Sequence, residues 1–157
     1  MTIEDDIVFI ERVSTLRPLG RDALRILAIG AESRYVHKGE VLFLAGEPAD
    51  CGYVIQEGSF QLATTSKLAA DVIVGPGTLL GELALIAETK RPATATASEP
   101  STVIRISRSL FLKMLEGYPH AAHIMREQIV ARAQQAMAEM TDVRALLDTS
   151  ATPPPQA

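Results

Sequence analysis

The sequence predicts an α+β chain in which a closed or sandwiched antiparallel sheet lies between helical ends. Three observations carry this. Residues 34 to 106 hold many short apolar runs punctuated by glycine, the pattern of strands and turns. Residues 4 to 30 and 107 to 147 instead place apolar side chains at steps of three and four, the helical period. The length, 157 residues, suits one domain with a sizeable core.

In chain order, Ile7, Val8, Ile10 and Val13 open the first helical piece. Arg17-Pro18-Leu19-Gly20 interrupts it, because proline lacks the N–H that a helix interior needs. Arg21 to Ile29 then carries Leu24, Leu27 and Ala28 at helical spacing, with Gly30 as the stop. In the strand region Val41 and Phe43 alternate onto one face, as do Phe60 and Leu62. Val72 and Val74, then Val103, Ile104 and Ile106, continue the pattern. Glu82 to Ala87 is the one short helical turn expected inside the sheet.

Ser107 suits the N-cap of a helix from Ser109 to Glu116, its hydroxyl accepting an orphan N–H. Leu110, Phe111, Met114 and Leu115 would face the sheet. Gly117-Tyr118-Pro119 ends that helix, and a long one follows from about His120 to Leu147. Together these parts make one domain over residues 1–147, divided as 4–30, 34–106 and 107–147. Residues 148–157, with Thr152-Pro153-Pro154-Pro155, are expected to be a disordered tail.

Composition narrows the function classes. A net charge of −4 argues against general nucleic-acid binding. The acidic start, Met1 to Asp6, is not a signal peptide, and no apolar run reaches the length that spans a bilayer. A cytoplasmic location is expected. The lone cysteine, Cys51, excludes an internal disulfide. It is expected in a turn between Asp50 and Gly52, with nothing basic beside it to activate the thiol. His37, His120 and His123 read as surface residues. There is no nucleophile elbow, no Walker loop and no zinc spacing. Neither catalysis nor a metal is expected.

The informative segment runs from Gly81 to Thr94. It sets the carboxylate of Glu82 nine residues before Arg91, with the apolar Leu83-Ala84-Leu85-Ile86-Ala87 between them. A guanidinium is a planar fork of donors that matches two phosphate oxygens. A carboxylate accepts the hydroxyl of a sugar. Gly81 permits a close backbone approach, and the first N–H groups of a turn starting at Glu82 lack internal partners and favour an anion. A ligand with one phosphate and one ribose hydroxyl suits this set. Residues alone leave open a second reading, a strand and turn whose exposed Glu and Arg are merely solvated.

Gly81-Glu82-Leu83-Ala84-Leu85 followed by Arg91-Pro92-Ala93-Thr94 resembles the phosphate-binding cassette of cyclic-nucleotide-binding domains. The resemblance extends, in order, through Gly39-Glu40-Val41-Leu42-Phe43, Gly46-Glu47-Pro48-Ala49-Asp50, Tyr53-Val54-Ile55-Gln56-Glu57-Gly58 and Gly75-Pro76-Gly77, over roughly residues 17 to 135. It implies an eight-stranded antiparallel β-roll and a binding module without a catalyst. By the same resemblance Glu82 accepts the ribose 2′-hydroxyl and Arg91 pairs with the cyclic phosphate. Gly81, Leu83 and Ala84 line the phosphate pocket with backbone, and Ala93 and Thr94 close its other wall. Leu80 stands where the family often has Phe, a change of packing. Pro92 stands where a Ser or Thr hydroxyl can reach the phosphate or a guanine base. Having neither hydroxyl nor N–H, it leans the ligand towards cyclic AMP over cyclic GMP.

On the long helix, Ile129, Ala133, Ala136, Met140, Val143 and Leu147 form a heptad seam. It suits a homodimer formed through a second copy of the same helix. Ile124, Met125 and Val130 flank the seam and are candidates for a lid over the ligand's base. Relatives such as the catabolite activator protein place a helix-turn-helix after this helix. Only ten residues follow Leu147 here, so no direct DNA binding is expected. The expectation is a stand-alone receptor that signals to an effector protein. The alternative is a transcription-related subunit that acts through a DNA-binding partner. A dimer module that has lost its ligand is a third reading, against which the retained Glu82 and Arg91 argue.

Overall fold

The computed structural model describes residues 3–14, 16–64, 70–132 and 134–135. Helix α1 (Ile3–Glu11), a 3-10 turn (Arg17–Leu19) and α2 (Arg21–Gly30) precede the sheets. The strands are β1 (Glu32–Val36), β2 (Val41–Phe43), β3 (Pro48–Ala49), β4 (Cys51–Glu57), β5 (Phe60–Thr64), β6 (Val72–Val74), β7 (Leu79–Leu80), β8 (Thr89–Lys90), β9 (Ala93–Ala97) and β10 (Ser101–Ser107). A second 3-10 turn (Leu83–Leu85) sits between β7 and β8. Helix α3 (Arg108–Gly117) follows β10, and a further helix, α4, covers 119–132 and 134–135. The seam positions Ala133, Ala136, Met140, Val143 and Leu147 and the tail 148–157 lie outside the residues whose side chains are described.

Two four-stranded antiparallel sheets, ordered β1-β10-β4-β7 and β2-β9-β5-β6, supply the eight strands of the roll. A two-residue ladder, β3 with β8, is added at one end. β4 and β10 pair along most of their length and divide two apolar cores. Cys51, Tyr53, Ile55 and Val103 face the roll interior with Phe43, Phe60 and Leu80. Val54, Ile104 and Ile106 face the other way, into a core built with Leu24, Leu27, Phe111, Met114 and Met125 of the helices. Consecutive residues 51 to 56 are therefore all buried. Strands covered on both faces read as continuous apolar runs, so alternation fades there.

The same sandwiching explains why Val103 and Ile104 are both interior although they point to opposite faces. A second departure concerns β2. Val41 is 40% exposed while Leu42 and Phe43 are both buried. The expected pairing of Val41 and Phe43 on one face is broken by a register shift against β9. An extra residue in one strand turns its neighbour inwards.

Helix α3 begins without a loop. Ser107 ends β10 and caps α3, its hydroxyl accepting the Leu110 N–H at 3.2 Å. Phe111, Met114 and Leu115 are buried, as their spacing requires. Among the described residues no helix is long and apolar enough to cross a membrane.

Candidate functional site

Gly81 follows β7 with φ +83, a conformation that L side chains rarely adopt. A Cβ there would collide with Arg91 Nη1 and stand 3.1 Å from the Cys51 carbonyl. Glycine is thus required twice, for the turn and for the space that Arg91 fills. The 3-10 turn Leu83–Leu85 leaves Gly81 at once, with Glu82 as its N-cap. The Ala84 N–H donates to the Gly81 carbonyl at 3.1 Å and is engaged within the turn. Leu85 and Ala84 are buried, whereas Leu83 is exposed.

Arg91 reaches the same place from the segment joining β8 to β9. Its main chain is clamped: its N–H donates to the Glu47 carbonyl, and its carbonyl accepts the Gly46 N–H, both at 2.8 Å. Its side chain is drawn inside, with the residue only 5% exposed. The guanidinium carbon lies 4.4 Å from the centre of the Phe43 ring and 5.5 Å from that of Tyr53, contacts that a cation gains from the ring quadrupole. Nη2 donates to Cys51 Sγ at 3.2 Å. Nη1 is buried with no partner. None of the ion pairs among the described residues includes Arg91.

This corrects the expectation for Cys51. The residue begins a strand instead of lying in a turn, and a guanidinium stands against its thiol. The two are forty positions apart in the chain, so nothing near Cys51 in sequence signals the contact. Burial raises the Tyr53 phenol above its ordinary pKa, a hydrogen bond with Cys51 adds to this, and Arg91 opposes it.

Glu82 meets α4. Its Oε2 accepts from Arg132 Nη1, while its Oε1 is buried without a partner. Burial raises the Glu82 carboxyl above its ordinary pKa, with Arg132 pulling it back. A proton is therefore held more tightly in the folded chain, and ionisation costs stability as pH rises through the folded-state value. Glu82→Gln is expected to raise stability at pH 7 by up to about 1 kcal/mol and to give no gain near pH 3, where both states are protonated. Thermal melts at the two pH values check it; a lower melting point at pH 7 would contradict it.

Three cavities adjoin one another. A cleft of about 250 Å³ is lined by Ala49, Gly81, Glu82, Leu83, Ala84, Thr89, Lys90, Arg91 and Pro92. On the roll side of Arg91 lies a cavity of about 210 Å³ with Phe43, Leu62, Leu80 and Ala93 in its wall. Outside Glu82 and Leu83, Ile129 and Arg132 complete a third, of about 240 Å³. Each is small, but side by side they fall within the usual range of about 300–1,000 Å³ for ligand sites.

Gly81, Glu82, Leu83, Ala84, Arg91 and Pro92 are thus brought together in one cleft, with Ala93 behind it. Thr94 is not: its Oγ1 accepts the Ala45 N–H at 2.9 Å, and it lines none of the three cavities. The candidate lid residues also differ. Met125 is fully buried in the helical core, and neither Ile124 nor Val130 lines any of these three cavities. Ile129 and Arg132 take that position instead. Sequence does not single out Arg132 and Arg108, since only the docking of distant segments reveals their partners; Lys90, beside Arg91 in the chain, also lines the cleft. His37, His120 and His123 are exposed, and His123 pairs with Glu127 at 3.1 Å. Among the described residues no cluster of His, Cys, Asp and Glu could hold a metal.

The family model for the cyclic nucleotide-binding domain matches residues 33–118, more than half of the chain. A cyclic nucleotide-gated potassium channel of Mesorhizobium japonicum is 30% identical over 120 residues, 76% of this chain and 33% of the channel. A cyclic AMP receptor protein of Thermus thermophilus is 26% identical over 112 residues, 69% of this chain and 52% of the receptor. The chain thus spans a third to a half of these relatives. Among solved structures, a cyclic nucleotide-binding-like protein from Brucella abortus superposes with a TM-score of 0.64 at 41% identity, covering 71% of this chain and 98% of that one.

Proposed function

The chain belongs to the cyclic nucleotide-binding domain family, and from that premise we propose a receptor for a cyclic mononucleotide, cyclic AMP in preference to cyclic GMP, that signals by changing shape. The observation that carries this reading is a pair of orphans in one cleft. Arg91 Nη1 is a buried donor without an acceptor, and Glu82 Oε1 is a buried acceptor without a donor. Buried polar atoms are nearly always satisfied, and an exception asks for a missing partner. A cyclic phosphate beside a ribose hydroxyl answers both.

In this reading Arg91 receives the phosphate and Glu82 the 2′-hydroxyl. Gly81, Leu83 and Ala84 let the ligand approach the main chain, and Pro92 and Ala93 form the wall behind it. Pro92 withholds the hydroxyl that would help a guanine base, which favours adenine. The ribose takes Oε1 while Arg132 holds Oε2, so occupancy ties the ligand to α4 through one carboxylate. The domain regulates and does not catalyse. It acts in the cytoplasm as a homodimer through the C-terminal helix, upon an effector protein. A ligand shifts such an equilibrium only by its differential affinity for the two states, typically about 1–3 kcal/mol of coupling.

Calorimetry with cyclic AMP, cyclic GMP and linear 5′-AMP tests the reading. The expected result is saturable binding of cyclic AMP, weaker binding of cyclic GMP and weakest of the linear nucleotide. Absence of heat with every cyclic nucleotide would remove it.

A further inference from the structure

Two separate walls of the cleft, Ala84 in the 3-10 turn and Ala49 in β3, are held by one side chain that lies outside it. Arg108 Nε donates to the Ala84 carbonyl at 2.8 Å, and its Nη2 donates to the Ala49 carbonyl. The Arg108 N–H donates to the Asp50 carbonyl at 2.8 Å. Arg108 is also the first residue of α3. A planar guanidinium that binds two carbonyls at once fixes their separation, and here it refers that separation to the start of a helix.

We propose that Arg108 is a positioning residue that couples the state of the cleft to α3. The helix does not need this fork merely to stay docked. It is continuous with β10, capped by Ser107 and anchored by Phe111, Met114 and Leu115. What the fork adds is a link from the turn and β3 to the point where α3 pivots. When a ligand engages the turn's amides, the peptide planes reorient and the Ala84 carbonyl moves with them. Because the guanidinium holds both carbonyls, that movement is passed to the helix start instead of being absorbed in the turn. Leu85 gives the turn a second, apolar hold on the same helix, so the two routes act in parallel.

The identity of the ligand rests on the receptor reading above; the link itself does not. Hydrogen exchange of the full chain, with and without cyclic AMP, tests it in Arg108→Met and Arg108→Lys. Without ligand, amides 83–87 of Arg108→Met are expected to exchange about tenfold faster than in wild type, with 110–117 unchanged. With ligand, wild type is expected to respond in both segments. Arg108→Met should respond in the turn but at less than half the wild-type amplitude in α3, with affinity within about tenfold. Arg108→Lys, which keeps the charge and one bond, should fall between the two and decides the matter if the methionine variant melts. Wild-type exchange in the turn without ligand, or half or more of the wild-type α3 response, overturns the proposal. Should wild type bind no cyclic nucleotide, the receptor reading fails while the ligand-free comparison still judges Arg108.

Discussion

Arg91→Ala is expected to weaken cyclic AMP binding by about 2–5 kcal/mol, the usual cost when one partner of a buried charged contact is removed. The reason is geometric as well as electrostatic. The guanidinium is buried, its main chain is clamped to Gly46 and Glu47, and Phe43 and Tyr53 hold its plane. In the proposed complex it would meet the phosphate without being ordered by it, which spares the entropy that an exposed arginine would lose. The ligand-free protein tells the complementary half. A buried charge with no ion-pair partner costs folding stability, so Arg91→Met, which keeps the aliphatic volume, is expected to melt no lower than wild type. Calorimetry and denaturant unfolding on the two variants measure both halves. Binding retained within tenfold in Arg91→Ala would take this residue out of the site.

Leu85→Ala is expected to cost about 2–5 kcal/mol of folding stability, as for other large-to-small changes at fully buried positions. Against a total of about 5–15 kcal/mol this is severe. Leu85 is the turn's plug in the helical core, fully buried in the cluster that holds Phe111 and Met114. Its loss leaves a void and frees the turn. Affinity should fall as well, because the ligand must then order a segment that was already ordered. Leu83→Ala, at an exposed position on the same turn, should change stability by less than about 0.5 kcal/mol. Urea midpoints of the two variants provide the comparison; equal midpoints would refute the anchoring role.

Much of this architecture is legible in the chain because its signals are local. Pro18 and Gly20 mark the break between the first helices, and Ser107 with Pro119 brackets α3 within a residue or two. Gly81 announces a conformation that few residues accept. All but Ala49 of the cleft residues fall within one short segment, 81 to 92, so closeness in the chain, together with the family resemblance, points to Glu82 and Arg91. What sequence withheld is long-range. Arg132 reaches Glu82 across fifty positions, and Arg108 reaches Ala49 across fifty-nine. Nothing in the local pattern of either arginine names its partner. Cys51 misled for the same reason, since the charge beside it arrives from β8–β9. Val41 and Phe43 misled because a one-residue bulge reverses alternation, and no residue type demands a bulge there. Met125 is a lid candidate by its place beside the seam, yet it packs in the core with Phe111 and Met114, partners that its own segment does not name.

The partition of apolar residues by β4 and β10 has an evolutionary consequence. Along each strand, one set of alternate positions packs in the roll interior and the other in the helical core. Under the receptor proposed above, drift on the roll side can retune which molecule is sensed while the helical side preserves the response, so a combinatorial library restricted to roll-side residues such as Phe43, Tyr53, Leu62 and Leu80 offers a route to biosensors with new inputs and an inherited readout.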